Sequence, residues 1–148
     1  MAFEFVLLAL VLLGLTIAIH YETLRFVSER LSTREGASRA RLFVVLVAAL
    51  ASHLAHILLY AWSFMLFDLQ EGFGTIEGSD GGFWDAFYFS ITSYTTLGIG
   101  DLYPTQAIRF LSGIEALNGL VMVGWTASFT YLTMERFWAL GRDQENDQ

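Results

Sequence analysis

Three stretches of this chain carry almost no charge, and each is long enough to be measured against a lipid bilayer. Phe3 to Ile19 holds one acid, Glu4, at its edge. As a helix it would reach roughly 26 Å, just enough for the hydrocarbon core. Leu42 to Phe67 contains no Asp, Glu, Lys or Arg and would reach roughly 39 Å, enough to cross with tilt. Ala107 to Met134 is the third stretch, interrupted by Arg109 near its start and by Glu115 and Asn118 further in. Polar groups at that depth need a partner or a water-filled pore. A shorter aromatic stretch, Phe83 to Tyr94, would span only about 18 Å as a helix, so it must enter the membrane and return. The pattern predicts an all-α membrane protein with three transmembrane helices and one re-entrant helix.

Composition agrees. Hydrophobic residues make up 55% and charged residues 16%, against about a quarter charged in soluble domains. The first span is read as retained rather than cleaved, because no basic residue precedes it and Thr16-Ile17-Ala18 is a weak cleavage site. All eight basic residues are Arg, and Arg25, Arg30, Arg34, Arg39 and Arg41 fall between the first two spans. By the positive-inside rule that loop is cytoplasmic. Leu42 to Ile108 has no Lys or Arg but carries Asp68, Glu71, Glu77, Asp80, Asp85 and Asp101, and is expected outside. The N-terminus is then outside and the C-terminus inside, in the cell membrane. A net charge of −7 without a further basic cluster argues against nucleic acid as partner and leaves membrane lipid.

Between the second and third spans the chain reads Thr95-Thr96-Leu97-Gly98-Ile99-Gly100-Asp101-Leu102-Tyr103-Pro104. Ion-selectivity filters replace a cation's water with rings of backbone carbonyls. Pointing successive carbonyls at one axis requires alternating left- and right-handed backbone, and glycine takes the left-handed state at little cost. Gly98 and Gly100 meet that need, and the Thr96 hydroxyl stands ready to add an oxygen ring. Asp68 to Gly82 precedes as a turret. Ser79 or Asp80 is placed to cap the short helix, with Asp85 suiting its positive end.

The stretch from Phe83 through Gly100 to Trp138 resembles the pore domain of tetrameric potassium channels, whose filter reads Thr-Val-Gly-Tyr-Gly. The resemblance implies a K+ selectivity filter at Thr96, Leu97, Gly98, Ile99 and Gly100, passive K+ conduction as the function, and a homotetramer, since one filter copy supplies a quarter of a pore. It divides the chain into an N-terminal helix and Arg-rich loop (1–41), a pore domain (42–138) and a short tail (139–148). The pore domain comprises outer helix 42–67, turret 68–82, pore helix 83–94, filter 95–101 and inner helix 107–138. It also implies filter support from Thr95, Asp101, Tyr88, Thr92 and Trp84. Trp84, Phe87, Tyr88, Phe89 and Tyr94 would form an aromatic cuff, Tyr88 would donate to Asp101, and Thr92 stands where some members carry an acid. Leu97 replaces Val, and Ile99 replaces the aromatic that braces the filter from behind. A nonselective monovalent cation channel and a non-conducting sensor or subunit are the alternative functions.

On the inner helix, Gly119 and Gly124 are candidates for a hinge or for close helix contact. Asn118, Met122 and Thr126 recur at helical spacing and are candidates to line the cavity, with the opposite rotation left open. Glu115 is expected in a buried hydrogen bond near the pore helix. His53 and His56, at i and i+3 on the second span, suit a shared metal, a pH sensor or bonds across helices, but no third ligand is evident. The tail is too short for a folded sensing domain, and no span repeats arginine at every third position as voltage sensors do. Leu24, Val27 and Leu31 suggest an interfacial helix in the first loop.

Overall fold

In a bilayer each spanning segment must satisfy its own backbone groups, which makes long apolar runs helical. The computed structural model describes residues 2–32, 38–70 and 72–146, with side chains over 5–31, 40–70 and 72–135. Its elements are α1 (Ala2–Ser32), α2 (Ser38–Asp68), β1 (Ile76–Glu77), α3 (Phe83–Tyr94), β2 (Tyr103–Pro104) and α4 (Ile108–Asn146). Phe5–Leu31, Ala40–Asp68 and Ile108–Glu135 are each long and apolar enough to cross a membrane. The chain is a multi-pass, all-α membrane protein.

Two boundaries differ from the sequence reading. α1 continues past Ile19 to Ser32, because Leu24 and Val27 extend the buried stripe of Ala9, Leu12, Thr16 and His20. Arg25 and Arg30 therefore ride on α1, where Arg25 pairs with Glu29 at 2.9 Å. No separate interfacial helix forms there. The second difference is at the other end, where α4 runs on to Asn146 and absorbs most of the expected tail. Arg34, Glu71 and the Arg39 side chain lie outside the described residues.

The turret is more ordered than its glycines suggest. β1 and β2 pair antiparallel, Ile76 opposite Pro104 and Glu77 opposite Tyr103. The pairing is extended by Thr105 N donating to Thr75 O at 2.9 Å and Thr75 N to Thr105 Oγ1 at 2.8 Å. Phe73 O accepts from Ala107 N and Ile108 N, satisfying the start of α4. The turret is thereby tied to the segment that leaves the Gly98–Gly100 strand.

Neither Ser79 nor Asp80 caps α3. Gly82 is the capping residue and has no side chain to offer. Asp85 instead reaches back, accepting from Asp80 N at 2.8 Å and Ser79 Oγ at 3.1 Å. Its charge still sits in the first turn, where the helix dipole favours it.

The main core gathers Ala9 and Leu12 of α1, Tyr60, Phe64 and Phe67 of α2, Ala86 and Phe89 of α3, and Ile108 and Leu111 of α4. Phe64 and Phe89 meet edge to face at 4.9 Å, a favoured aromatic arrangement. α3 is thus wedged between α2 and α4 by apolar side chains, and its C-terminal end is fixed against both.

Candidate functional site

α3 ends at Tyr94, and the strand that leaves it is held by the helix's own last carbonyls. Thr96 N donates to Ser93 O at 3.0 Å, and Gly98 N to Thr92 O at 3.2 Å. Thr95 Oγ1 donates to Ile91 O at 2.7 Å. Thr95 itself is right-handed helical, whereas Thr96 (φ +58°), Gly98 (+53°) and Gly100 (+88°) are left-handed. The alternation demanded of Gly98 and Gly100 is present and extends to Thr96, a non-glycine residue for which that conformation costs of order 1–2 kcal/mol. Bonds from Thr96 N and Gly98 N on either side of Leu97 offset that cost.

Tyr88 and Asp101 close the strand's far end, with Tyr88 Oη donating to Asp101 Oδ2 at 2.9 Å. That bond holds the Tyr88 phenol above its ordinary value. Asp101 Oδ1 accepts from Leu102 N, so the carboxylate joins helix, strand and exit turn. Thr92 turns inward and bonds Phe89 O at 2.9 Å; its contribution to the strand is its carbonyl.

The aromatic cuff divides between two faces. Trp84 is exposed and lies against Phe83 and Phe87. Phe89 and Tyr94 are buried in the opposite direction, toward α2 and α4. Residues 95–101 are all exposed in the single chain, including Leu97 at 63% and Ile99 at 58%.

Of the two rotations left open for α4, the single chain shows the one that turns Asn118 and Met122 inward. Asn118 and Met122 are buried, Asn118 Nδ2 donating to Thr16 Oγ1 of α1 at 2.9 Å and Met122 packing with Tyr94 and Ile57. Neither lines an open cavity. The uncovered face of α4 instead carries Leu117, Leu120, Val121, Gly124 and Ser128. Gly119 contacts the Tyr94 carbonyl so closely that a Cβ there would collide with it, whereas Gly124 faces open space. Gly119 is a close-approach residue, and α4 stays helical through both glycines. Glu115 is fully buried and accepts from Ser90 Oγ of α3, while its Oε2 has no hydrogen-bond partner among the described residues.

The sequence reading stopped at two histidines, and α1 supplies the third. His20, His53 and His56 place one nitrogen each within 4.8 Å of the others. Three hydroxyls alternate with them in a closed ring. Ser52 Oγ bridges His20 Nδ1 (3.1 Å) and His56 Nε2 (3.4 Å). Tyr94 Oη bridges His56 Nδ1 (2.9 Å) and His53 Nδ1 (2.8 Å). Thr126 Oγ1 bridges His53 Nε2 (2.9 Å) and His20 Nε2 (3.1 Å). Three neutral imidazoles and three hydroxyls hold six donors between them, one for each bond. The available signal was that these are all the histidines in the chain.

No curated protein and no solved structure matches the chain. A family model described as "Ion channel" matches residues 42–136. That range takes in most of α2, α3, the left-handed strand and most of α4, and leaves α1 outside. On this match, which covers well over half of its length, the protein belongs to the ion-channel family.

Proposed function

We propose that four copies of this chain form a potassium-selective channel that conducts K+ passively through the strand 96–100. The observation that carries the reading is the left-handed backbone at Thr96, Gly98 and Gly100. Alternating backbone of this kind can turn successive carbonyls toward one axis, where they replace the ion's hydration shell. The ion is the substrate, and Thr96, Leu97, Gly98, Ile99 and Gly100 are the residues that meet it. Thr95, Asp101, Tyr88 and Thr92 position that strand.

A homotetramer is supported by what one chain leaves uncovered. Residues 95–101 are exposed in the single chain, and non-helical backbone at membrane depth must be buried in protein or line a cavity, so it needs an axis or a neighbour to face. The orientation proposed has the turret and Asp101 outside and Arg25 to Arg41 inside, in accord with the positive-inside rule. Carboxylates at the outer mouth would raise the local cation concentration.

Ile99 favours a second reading, a nonselective cation pore. An aliphatic side chain cannot make the bracing hydrogen bond that a hydroxylated aromatic would make behind the strand, which leaves the ring diameter to Tyr88–Asp101 and the backbone. Purified protein reconstituted in bilayers under opposed K+ and Na+ gradients separates the readings. A reversal near the K+ equilibrium potential is expected. Reversal near zero would establish the nonselective pore, and an assembled tetramer without current would establish a non-conducting role.

A further inference from the structure

We infer that His20, His53 and His56 form a binding site for a divalent transition metal of the Zn2+ class, beside the end of the re-entrant helix. Imidazole nitrogen is the donor such cations prefer among the side chains present, since the chain has no cysteine. The spacing fits. A Zn–N bond of about 2.0–2.1 Å plus a ring radius of about 1.1 Å sets each imidazole centroid about 3.2 Å from the metal. Three such rings then stand about 5.2 Å apart in a tetrahedral arrangement and about 5.5 Å apart in a trigonal one. The observed centroid separations are 5.2, 5.6 and 6.0 Å. The two separations from His20 match those one shared ion would give, and His53–His56 stands about 0.5–0.8 Å wider.

What remains is ring rotation and a small closing of the His53–His56 pair. Ligand nitrogens in a tetrahedral site lie about 3.4 Å apart, and here they lie within 4.8 Å, so each moves inward by less than about 1 Å. The rotation frees one nitrogen of each ring from the hydroxyl circle and leaves the other free to donate. Three hydroxyls, Ser52, Tyr94 and Thr126, then remain for three N–H groups. An outer shell that fixes each ligand's tautomer is what metal-bound histidines require. The fourth position is left to water.

Two ligands come from one helix at i and i+3, and the third comes from α1, which lies outside the matched region. An ion here would clamp α1 to α2. It would also bear on Tyr94, the last residue of α3 before the left-handed strand, whose carbonyl rests against Gly119 of α4. Metal binding does not depend on the strand conducting, and the test reads metal rather than current.

Full-length protein, stripped of metal in detergent, is titrated with Co2+ followed by visible absorption, with bound metal counted by elemental analysis. One Co2+ per chain is expected, with the strong d–d bands of four-coordinate cobalt, displaced by Zn2+. His20→Asn, His53→Asn and His56→Asn should each weaken binding by at least about 10-fold and abolish those bands, with assembly checked by gel filtration. His20→Cys replaces one donor by another and should add a sulfur-to-cobalt charge-transfer band, which tests the site even where an Asn variant fails to assemble. Absence of four-coordinate bands in the unmodified protein, their survival in an assembled Asn variant, or a Cys variant without the charge-transfer band would overturn the assignment.

Discussion

Gly98 and Gly119 are both intolerant of a side chain, for unrelated reasons. At Gly98 an added Cβ would meet nothing within 4 Å, but φ is +53°. The penalty is purely torsional, about 1–2 kcal/mol for an L-residue, and relaxing it reorients the carbonyl. Gly98→Ala should therefore abolish the current or its selectivity in bilayer recordings while gel filtration still shows the assembled protein. Unchanged selectivity would remove the strand from the conduction path. At Gly119 the backbone is ordinary helix and the obstacle is the Tyr94 carbonyl. Gly119→Ala should lower stability by about 1–3 kcal/mol, as overpacking does, seen as a lower thermal midpoint in detergent. Gly98 was legible in the sequence because its role depends on consecutive residues. Gly119 was not, because contact with α3 depends on how α4 is rotated, and small residues in apolar helices serve as hinges and contacts alike.

At the scale of elements, α3 and its strand behave as one unit latched at Asp101. Tyr88→Phe removes the only side-chain donor to Asp101 among the described residues. Shorter single-channel bursts with assembly intact are expected, and bursts of unchanged length would show that the latch is idle. The phenol's pKa is raised in the folded protein by this bond. Its contribution is therefore complete below the free phenol's value of about 10 and is lost as pH rises past it. Burst length should be constant from neutral pH to about 9 as far as this latch sets it. The Tyr88–Asp101 bond could be anticipated from the motif, whereas the facing of α4 could not. Glu115, Asn118 and Thr126 mark polar points on a mostly apolar helix, and in a membrane such points are equally suited to water and to a buried partner. The α1 partners, Thr16 and His20, are 102 and 106 positions away in the chain, beyond any local pattern.

For the whole molecule the question is what attaches α1 to the region from residue 42 that matches the ion-channel family. Apolar contact alone discriminates weakly, because lipid tails are as apolar as Leu. The directional bonds are Asn118 Nδ2 to Thr16 Oγ1 and the His20 bonds to Ser52 and Thr126. They lie one helical turn apart on α1, so helix position and rotation are both specified. Thr16 Oγ1 also donates to Leu13 O at 2.9 Å, which turns its lone pairs toward Asn118. If these bonds dock α1, then Thr16→Val and Asn118→Leu are coupled. A double-mutant cycle on unfolding in mixed micelles should return an interaction of about 0.6 kcal/mol, the usual size for polar pairs between membrane helices. An interaction indistinguishable from zero would mean that the Asn118–Thr16 bond does not help to dock α1. Both variants leave residues 95–101 untouched, so native mass spectrometry should still find an assembly of about four times the 16.6 kDa chain. A loss of that mass in either variant would instead make α1 part of what holds the subunits together.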